Sequence, residues 1–106
     1  MRDLDDFGRY SEAALLILVS LASGPKHGYA IMDDVARLAQ IQLGPGTLYG
    51  ALARLERLGL VEPLPATRRR RPYRLSPAGT RVLESELANL HRLAQTGLAR
   101  LAAMQP

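Results

Sequence analysis

Residues 44–60 read GPGTLYGALARLERLGL, and this spacing predicts one short helix with a marked start and a marked end. Pro45 suits the first helical position, because the N–H that proline lacks would be unpaired there anyway. Gly59 suits the left-handed residue that follows a helix, after which the next leucine can fold back onto the last turn. We therefore expect a helix over residues 45–58.

This helix is predicted to have two unlike faces. At about 100° per residue, one face carries leucines at three helically spaced positions, Leu48, Leu52 and Leu55. The opposite face carries small or basic residues, namely Gly46, Thr47, Gly50, Ala53, Arg54 and Arg57, with Tyr49 at its edge. Exposed helix positions usually carry long polar side chains, and a glycine within a helix costs about 1 kcal/mol relative to alanine. A bare, basic face fits close approach to DNA, whose major groove admits one helix. The alternative is a helix packed on both sides within the protein.

The charge of the chain is concentrated around this helix. The 106 residues predict one domain, with 14 Lys and Arg against 10 Asp and Glu, and 13 of the 14 cations are arginine. Residues 54–74 hold seven arginines and two glutamates, so the remainder of the chain carries a net charge of −1. Local charge of one sign is typical of a surface that binds a polyanion.

Several classes of protein are disfavoured by composition. There is no cysteine, so we expect no disulfide and no thiolate metal site. The longest apolar run, residues 13–19, is far shorter than a membrane span, and the acidic N-terminus does not resemble a signal peptide. The two histidines are far apart and no catalytic constellation is evident. We expect a cytoplasmic, non-enzymatic protein with no catalytic residue, no cofactor, no metal site and no membrane partner.

Two further helices are predicted before residue 44. Residues 1–10 are polar and are expected to form a loose arm, with Ser11 as the N-cap of a helix that ends near Ala22. A second helix is expected to open at Lys26 and to run to about Ala39. Three helices with short connections, the third small-faced and basic, are typical of a helix-turn-helix.

A β-hairpin is predicted next. Residues 60–65 suit a strand at a sheet edge, because they contain two prolines, and residues 73–75 suit its return strand. Between them lie four consecutive arginines, Arg68, Arg69, Arg70 and Arg71. A hairpin after the third helix is the wing of a winged helix, here over residues 60–75, and an arginine tip suits phosphates or a narrow minor groove. The alternative is a solvated run of charge.

The C-terminal region, residues 76–106, is predicted to be a dimerisation helix. It starts with Ser76 as N-cap, extends to about Met104 and carries a heptad seam of apolar or small residues. The helix after Ser11 is apolar nearly all round, which predicts burial on more than one side. The residues expected to meet a second chain are Leu15, Leu18, Leu83, Leu87, Leu90, Ala94, Gly97 and Leu101. The alternative is a monomer whose long helix folds over its own core.

These features resemble the PadR family of bacterial transcriptional regulators, in its short form with a single C-terminal helix. The resemblance covers nearly the whole chain and rests on five stretches: GPKHGYAI at 24–31, PGTLYGAL at 45–52, RLE at 54–56, GL at 59–60 and YRLSPAG at 73–79. It implies a dimeric winged helix that binds an inverted-repeat operator, usually as a repressor, with possible release by a small aromatic or drug-like effector near the dimer interface. Position 44 is Gly where the family often has Ser, and the last helix has no aromatic residue.

The expected mechanism places two copies of the third helix in successive major grooves. Thr47 and Tyr49 would contact phosphates or base edges, Arg54 a guanine edge or a phosphate, and the four wing arginines phosphates or the minor groove. An alternative is a winged helix that binds an acidic protein partner with its wing. His27 suits a structural or capping role better than a metal site. Tyr10 and Tyr29 could line an effector site, but a tyrosine in the core or at an interface, with its hydroxyl hydrogen-bonded, is the preferred interpretation.

Overall fold

The computed structural model describes residues 11–105, and the predicted arm over residues 1–10 lies outside them. In chain order its elements are α1 (Glu12–Leu21), β1 (Lys26–His27), α2 (Gly28–Ala39), α3 (Pro45–Arg57), β2 (Val61–Pro63), β3 (Pro72–Leu75) and α4 (Pro77–Ala103). The predicted fold class is confirmed: a mostly helical chain, in which a helix-turn-helix and a small β-hairpin precede one long helix.

The helices begin where the sequence places their caps. The Ser11 hydroxyl accepts the Ala14 N–H at 3.1 Å, and the Ser76 hydroxyl accepts the Gly79 N–H at 2.9 Å. Gly44, at the start of α3, makes no side-chain hydrogen bond. A serine cap satisfies one of the backbone N–H groups that every helix start leaves unpaired, so α3 has the least satisfied start of the three.

The end of α3 is a Schellman motif. Gly59 has a φ of +77°, the left-handed conformation that glycine adopts without a steric penalty. The Leu60 N–H donates to the Leu55 carbonyl at 2.9 Å, and the Gly59 N–H donates to the Glu56 carbonyl at 3.0 Å. The helix therefore ends one residue before the predicted position, and Leu58, its C-cap, is 51% exposed.

The sheet has three antiparallel strands in the order β1-β3-β2. β2 lies at an edge, as its prolines predict, with Val61 opposite Leu75. The presence of β1 corrects a prediction, because the sequence predicted that Lys26 and His27 open a helix. They pair instead with Tyr73 and Pro72 across the sheet, a contact between distant parts of the chain that no local pattern predicts.

One hydrophobic core joins the helices and the hairpin. The helical pattern of α3 is confirmed, because Leu48, Leu52 and Leu55 are all buried. They pack with residues from every helix and from β2, the largest being Ile17, Leu18, Ile31, Val35 and Val61.

Two residues predicted to meet a second chain belong to this core. Leu18 is fully buried in its own chain and Leu83 is nearly so, which corrects the interface assignment for both. The reason is that α1 is covered by α2, α3, α4 and β3 of the same chain, so its nearly uniform apolarity needs no partner to explain it. Leu15 is partly buried and packs against the core from outside.

A polar network connects α1, β1 and α2. The buried Ser20 hydroxyl donates to the Asp34 carboxylate at 2.7 Å, and Lys26 lies 4.0 Å from the same carboxylate. The Lys26 ammonium also donates to the Ser20 carbonyl and to the Ser23 hydroxyl. This network holds β1 beside the start of α2, and thereby sets where the sheet meets the helix-turn-helix.

The start of α4 is fixed to the end of α3. The Ser76 hydroxyl donates to the Gly59 carbonyl at 2.6 Å, and the Ser76 N–H donates to the Leu60 carbonyl at 3.1 Å. A Cβ on Gly79 would overlap the Leu60 carbonyl oxygen, so glycine is required for this close approach. Beyond Leu83 the helix leaves the core, and its remaining leucines are exposed.

Candidate nucleic-acid interface

The outer face of α3 is open. Gly46, Thr47, Gly50, Ala53 and Arg57 are exposed, and a Cβ built on either glycine would meet nothing within 4 Å. The alternative of a helix packed on both sides within one chain is therefore wrong. A large ligand can reach the backbone of this face at two points without displacing any side chain.

Arg54 and Tyr49 differ from the rest of that face. Arg54 is half-buried and interacts with neighbouring groups, so its guanidinium is less available than that of Arg57. The Tyr49 ring packs over the start of α2, where a Cβ on Gly28 would overlap its hydroxyl. Tyr49 nevertheless remains 43% exposed, so α2 holds one side of its ring and the other side is open.

The tip of the wing has an uncommon backbone conformation. The N–H of Thr67 donates to the Arg70 carbonyl at 2.8 Å, and the Arg70 N–H returns the bond at 2.8 Å. The two residues between them, Arg68 and Arg69, have φ values of +49° and +68°. Positive φ at both central residues is the requirement of a type I′ turn, where Asn-Gly is strongly preferred. Two arginines occupy these positions despite that preference.

His27 connects the wing to the helix-turn-helix. Its Nδ1 accepts the Ala30 N–H at 3.4 Å, which confirms the capping role predicted for this histidine. Its Nε2 lies 3.1 Å from a guanidinium nitrogen of Arg70, a contact that the sequence did not predict. The hairpin tip is thereby held beside the start of α2.

The wing arginines differ in their partners. Arg74, in β3, forms an ion pair with Glu62 of β2 at 2.9 Å, which fixes it on the sheet. Within residues 11–105, no carboxylate forms an ion pair with any of the four arginines over residues 68–71. Adjacent cations without counterions favour an external anion.

Three tyrosines surround the space between α3 and the wing. Tyr49 of α3, Tyr29 of α2 and Tyr73 of β3 line one cleft with His27 and the wing arginines. Burial raises the pKa of the Tyr73 hydroxyl, the Glu56 carboxylate adds to this effect, and the Arg71 guanidinium opposes it. Tyr73 is therefore a neutral hydrogen-bond donor near pH 7.

The sequence missed two of these contributors and left the third undecided. The sequence predicts Tyr73 only as part of a strand and His27 only as a cap, because the pairing of β1 with β3 that brings His27 to the wing joins distant parts of the chain. The alternative of a core position for Tyr29 is wrong, since the side chain is 61% exposed. The signal available in the sequence for this part of the cleft was Tyr29, which directly follows His27 and Gly28.

Comparison with known proteins shows which family this chain belongs to. The model of the transcriptional regulator PadR-like family matches residues 17–85, from within α1 to the first turns of α4. This chain belongs to the PadR-like family. Members of this family are transcriptional regulators that bind DNA, and they are not enzymes. The match therefore supports the predicted family, the predicted regulatory class and the prediction that the chain is not an enzyme.

Solved structures share the fold of this PadR-like chain. A PadR family regulator from Clostridium difficile is 24% identical, with a TM-score of 0.78 over 86% of this chain and 99% of that one. A PadR family regulator from Eggerthella lenta is 27% identical, with a TM-score of 0.71 over 96% of this chain and 90% of that one. A transcriptional regulator from Clostridium thermocellum is 25% identical, with a TM-score of 0.72 over 82% and 89%.

A curated relative is closer in sequence but much longer. It is an uncharacterized 37.1 kDa protein in transposon TN4556 of Streptomyces fradiae, 49% identical over 85 residues. The match covers 80% of this chain but spans only about a quarter of that relative.

Among the described helices of the PadR-like chain, none has the length and apolarity to cross a membrane.

Proposed function

We propose that this PadR-like protein is a homodimeric, sequence-specific repressor that binds an inverted-repeat operator in the cytoplasm. The observation that supports it best is the open glycine face of α3, whose edge residue Tyr49 lines one cleft with the arginines of the wing tip. Together they form two anion-binding elements on one side of the molecule. A small aromatic or drug-like effector that releases the DNA is part of the proposal.

In this proposal α3 enters the major groove. Gly46 and Gly50 let the groove wall approach the helix backbone, while Thr47 and Arg57 reach phosphates or base edges. Tyr49 contacts the adjacent DNA backbone, and the packing of its ring against Gly28 of α2 sets its position. Half-buried Arg54 contributes positive potential at the edge of the same face. Base contacts select the sequence, whereas phosphate contacts set the register.

The wing supplies the second contact. Arg68, Arg69, Arg70 and Arg71 grip the phosphates or the minor groove beside each half-site. Their proposed role accounts for arginine at the two positive-φ positions, where a residue chosen for stability would be Asn or Gly. Arg70 exchanges its contact with His27 for a phosphate oxygen.

Dimerisation doubles this surface. The apolar residues of α4 beyond the core supply the proposed contacts with a second copy, namely the exposed Leu87, Leu90, Ala94 and Leu101 and the partly buried Gly97, with Leu15 at the side of the core. Two α3 helices related by a two-fold axis would enter successive major grooves, about one helical turn apart.

Selection of bound sequences from a random DNA pool tests the function. The expected product is a palindromic motif with half-sites about one turn apart. The affinity of the protein for that motif, measured by fluorescence anisotropy at increasing salt concentrations, should fall steeply. An asymmetric motif would contradict the dimer, and the absence of salt-dependent DNA binding would contradict the whole proposal in favour of a protein partner.

A further inference from the structure

Ser76 makes more hydrogen bonds than the cap of a helix requires. Its hydroxyl accepts the Gly79 N–H at 2.9 Å, which caps α4, and also donates to the Gly59 carbonyl at 2.6 Å. Its own N–H donates to the Leu60 carbonyl at 3.1 Å. Gly59 and Leu60 form the turn that ends α3, so this buried serine bonds the start of α4 to the end of the helix with the open glycine face.

Ser11 shows that capping alone does not explain these bonds. Its hydroxyl accepts the Ala14 N–H at 3.1 Å and so caps α1 in the way that Ser76 caps α4. Within residues 11–105, the Ser11 hydroxyl makes no hydrogen bond to another helix or strand. A hydroxyl can donate one hydrogen bond while it accepts others, and of these two serines Ser76 alone uses its donor to join two elements.

The packing of α4 on its own chain is concentrated at the start of the helix. Among the described residues, the buried positions of α4 are Gly79 and Leu83, both within its first two turns. Hydrophobic burial is non-directional, whereas a hydrogen bond has a preferred angle. The bonds of Ser76 to Gly59 and Leu60 therefore restrict the direction in which α4 leaves the core.

The length of α4 magnifies any change in that direction. The proposed dimer contacts are centred on Ala94, which lies 18 positions after Ser76. At 1.5 Å per residue this is a lever of about 27 Å, so a tilt of about 10° at Ser76 moves its far end by about 5 Å. Successive base pairs are only about 3.4 Å apart. A small tilt between α4 and α3 thus changes which half-site spacing two α3 helices can fit.

We propose that Ser76 is a positioning residue that sets the half-site spacing read by the dimer, because it fixes the angle between α4 and α3. This role rests on the proposed function, since only a dimer on DNA reads a spacing. A complex on an operator of altered spacing must bend at this junction and lose the bond from the Ser76 hydroxyl to Gly59. The complex on the preferred spacing keeps that bond. Ser76 therefore contributes to the choice between spacings and not to the affinity for one half-site.

The first experiment uses the full chain and operators whose half-sites are moved one or two base pairs closer together or further apart. Fluorescence anisotropy should show that the natural chain prefers one spacing. Ser76→Ala should reduce that preference by about three- to tenfold, the range that one lost hydrogen bond supplies. Ser76→Thr keeps a hydroxyl that can donate and accept, so it should restore the preference. The affinity for DNA with a single half-site should be the same for all three proteins.

Ser11→Ala is the matched control. It removes a serine cap from α1 but no bond between helices, so it should keep the natural spacing preference. Both changes from serine to alanine should lower the urea midpoint, because each leaves a helix start less well capped. Circular dichroism identifies the temperature at which both variants are fully folded, and the DNA measurements are made there.

The second experiment measures the angle without DNA. The chain has no cysteine, so Arg57→Cys with Arg92→Cys gives one labelling position on α3 and one on α4, both exposed. Pulsed double resonance between two spin labels, with the labelled chain diluted into an excess of unlabelled chain, reports the distances within single chains. Ser76→Ala should broaden the distance distribution, whereas Ser11→Ala and Ser76→Thr should leave it as narrow as in the natural sequence.

The two experiments separate this inference from the proposed function. If the natural chain binds every spacing equally, the dimeric operator is wrong, and Ser76 has no spacing to set. If the natural chain prefers one spacing but Ser76→Ala retains either that preference or the narrow distance distribution, the dimer stands and the role of Ser76 is wrong. The role is also wrong if Ser11→Ala has the same effects as Ser76→Ala, or if Ser76→Thr fails to restore the preference.

Discussion

At the scale of single residues, Gly50 shows a conflict between helix stability and the openness of the α3 face. It lies inside α3, and no atom lies within 4 Å of the place that a methyl group would take, so alanine would fit and would favour the helix. Gly50→Ala should raise the free energy of unfolding by about 0.5–1 kcal/mol, measured by urea denaturation. The same methyl would hold the groove wall away from the backbone, so DNA affinity in the anisotropy assay should fall.

The neighbouring Ala53→Gly is the matched control for Gly50. It lies on the same exposed face and removes a methyl instead of adding one. It should destabilise the helix by about the same amount while leaving DNA affinity nearly unchanged. If Gly50→Ala binds DNA as tightly as the natural chain, this part of the face does not contact DNA.

Gly79 is a glycine of the opposite kind, because its space is already occupied. A methyl there would overlap the Leu60 carbonyl oxygen, which is backbone and therefore yields only if α4 shifts. Gly79→Ala should lower the free energy of unfolding by about 1–3 kcal/mol despite the better helix propensity of alanine. Urea denaturation in parallel with Gly50→Ala measures the contrast. Equal effects of both substitutions would mean that α4 does not pack this closely on Leu60.

At the scale of elements, the wing hairpin combines a disfavoured backbone with a high charge. Replacing Arg68-Arg69 by Asn-Gly, written Arg68→Asn with Arg69→Gly, fits the positive φ values better and should stabilise the hairpin. It should also weaken binding to all DNA sequences. The slope of log affinity against log salt should become shallower by roughly 0.9 for each phosphate that the hairpin no longer binds.

The control for the wing variant removes two charges elsewhere. Arg81→Asn with Arg92→Asn changes two exposed arginines of α4 and leaves the hairpin intact. Anisotropy against salt should give this control the natural slope. A wing variant that also keeps the natural slope would show that the hairpin tip does not meet phosphates.

The elements also show which parts of the site were predictable. Helix starts at Ser11 and Ser76 and the helix end at Gly59 depend on residues within a few positions of one another, so sequence patterns suffice. The pairing of β1 with β3 and the contact between His27 and Arg70 join residues more than 40 positions apart. Only tertiary packing determines such contacts, so sequence patterns do not predict the cleft formed by Tyr29, Tyr49 and Tyr73 as a unit.

At the scale of the whole molecule, α4 carries far more apolar surface than its own chain covers. The helix has 27 residues, about 40 Å at 1.5 Å each, but only Gly79 and Leu83 of it are buried. Five of its exposed residues are large and apolar, namely Leu87, Leu90, Leu93, Leu98 and Leu101, and so is its C-cap, Met104. Contiguous exposure of this kind marks an interaction surface, and the heptad spacing favours a second helix as its partner.

The oligomeric state is the quantity that tests this surface. Leu90→Glu with Leu101→Glu places two charges on the exposed seam without entering the core, so the monomer fold should persist by circular dichroism. Sedimentation velocity should show a dimer for the natural chain and a monomer for the variant, because two buried, unpaired carboxylates would oppose association. Leu38→Glu, an equally exposed leucine on α2, is the control and should remain dimeric.

DNA binding by that monomer separates the contacts that one chain makes with DNA from the half-site spacing that the dimer sets. Each chain retains its own α3 face and wing, so salt-dependent binding to random DNA should persist. Preference for a palindromic operator should be lost, because half-site spacing is read only when two α3 helices are held at a fixed distance. If the variant is monomeric and still prefers the palindrome, the spacing is set by something other than α4. If it remains dimeric, the two chains associate through a different surface.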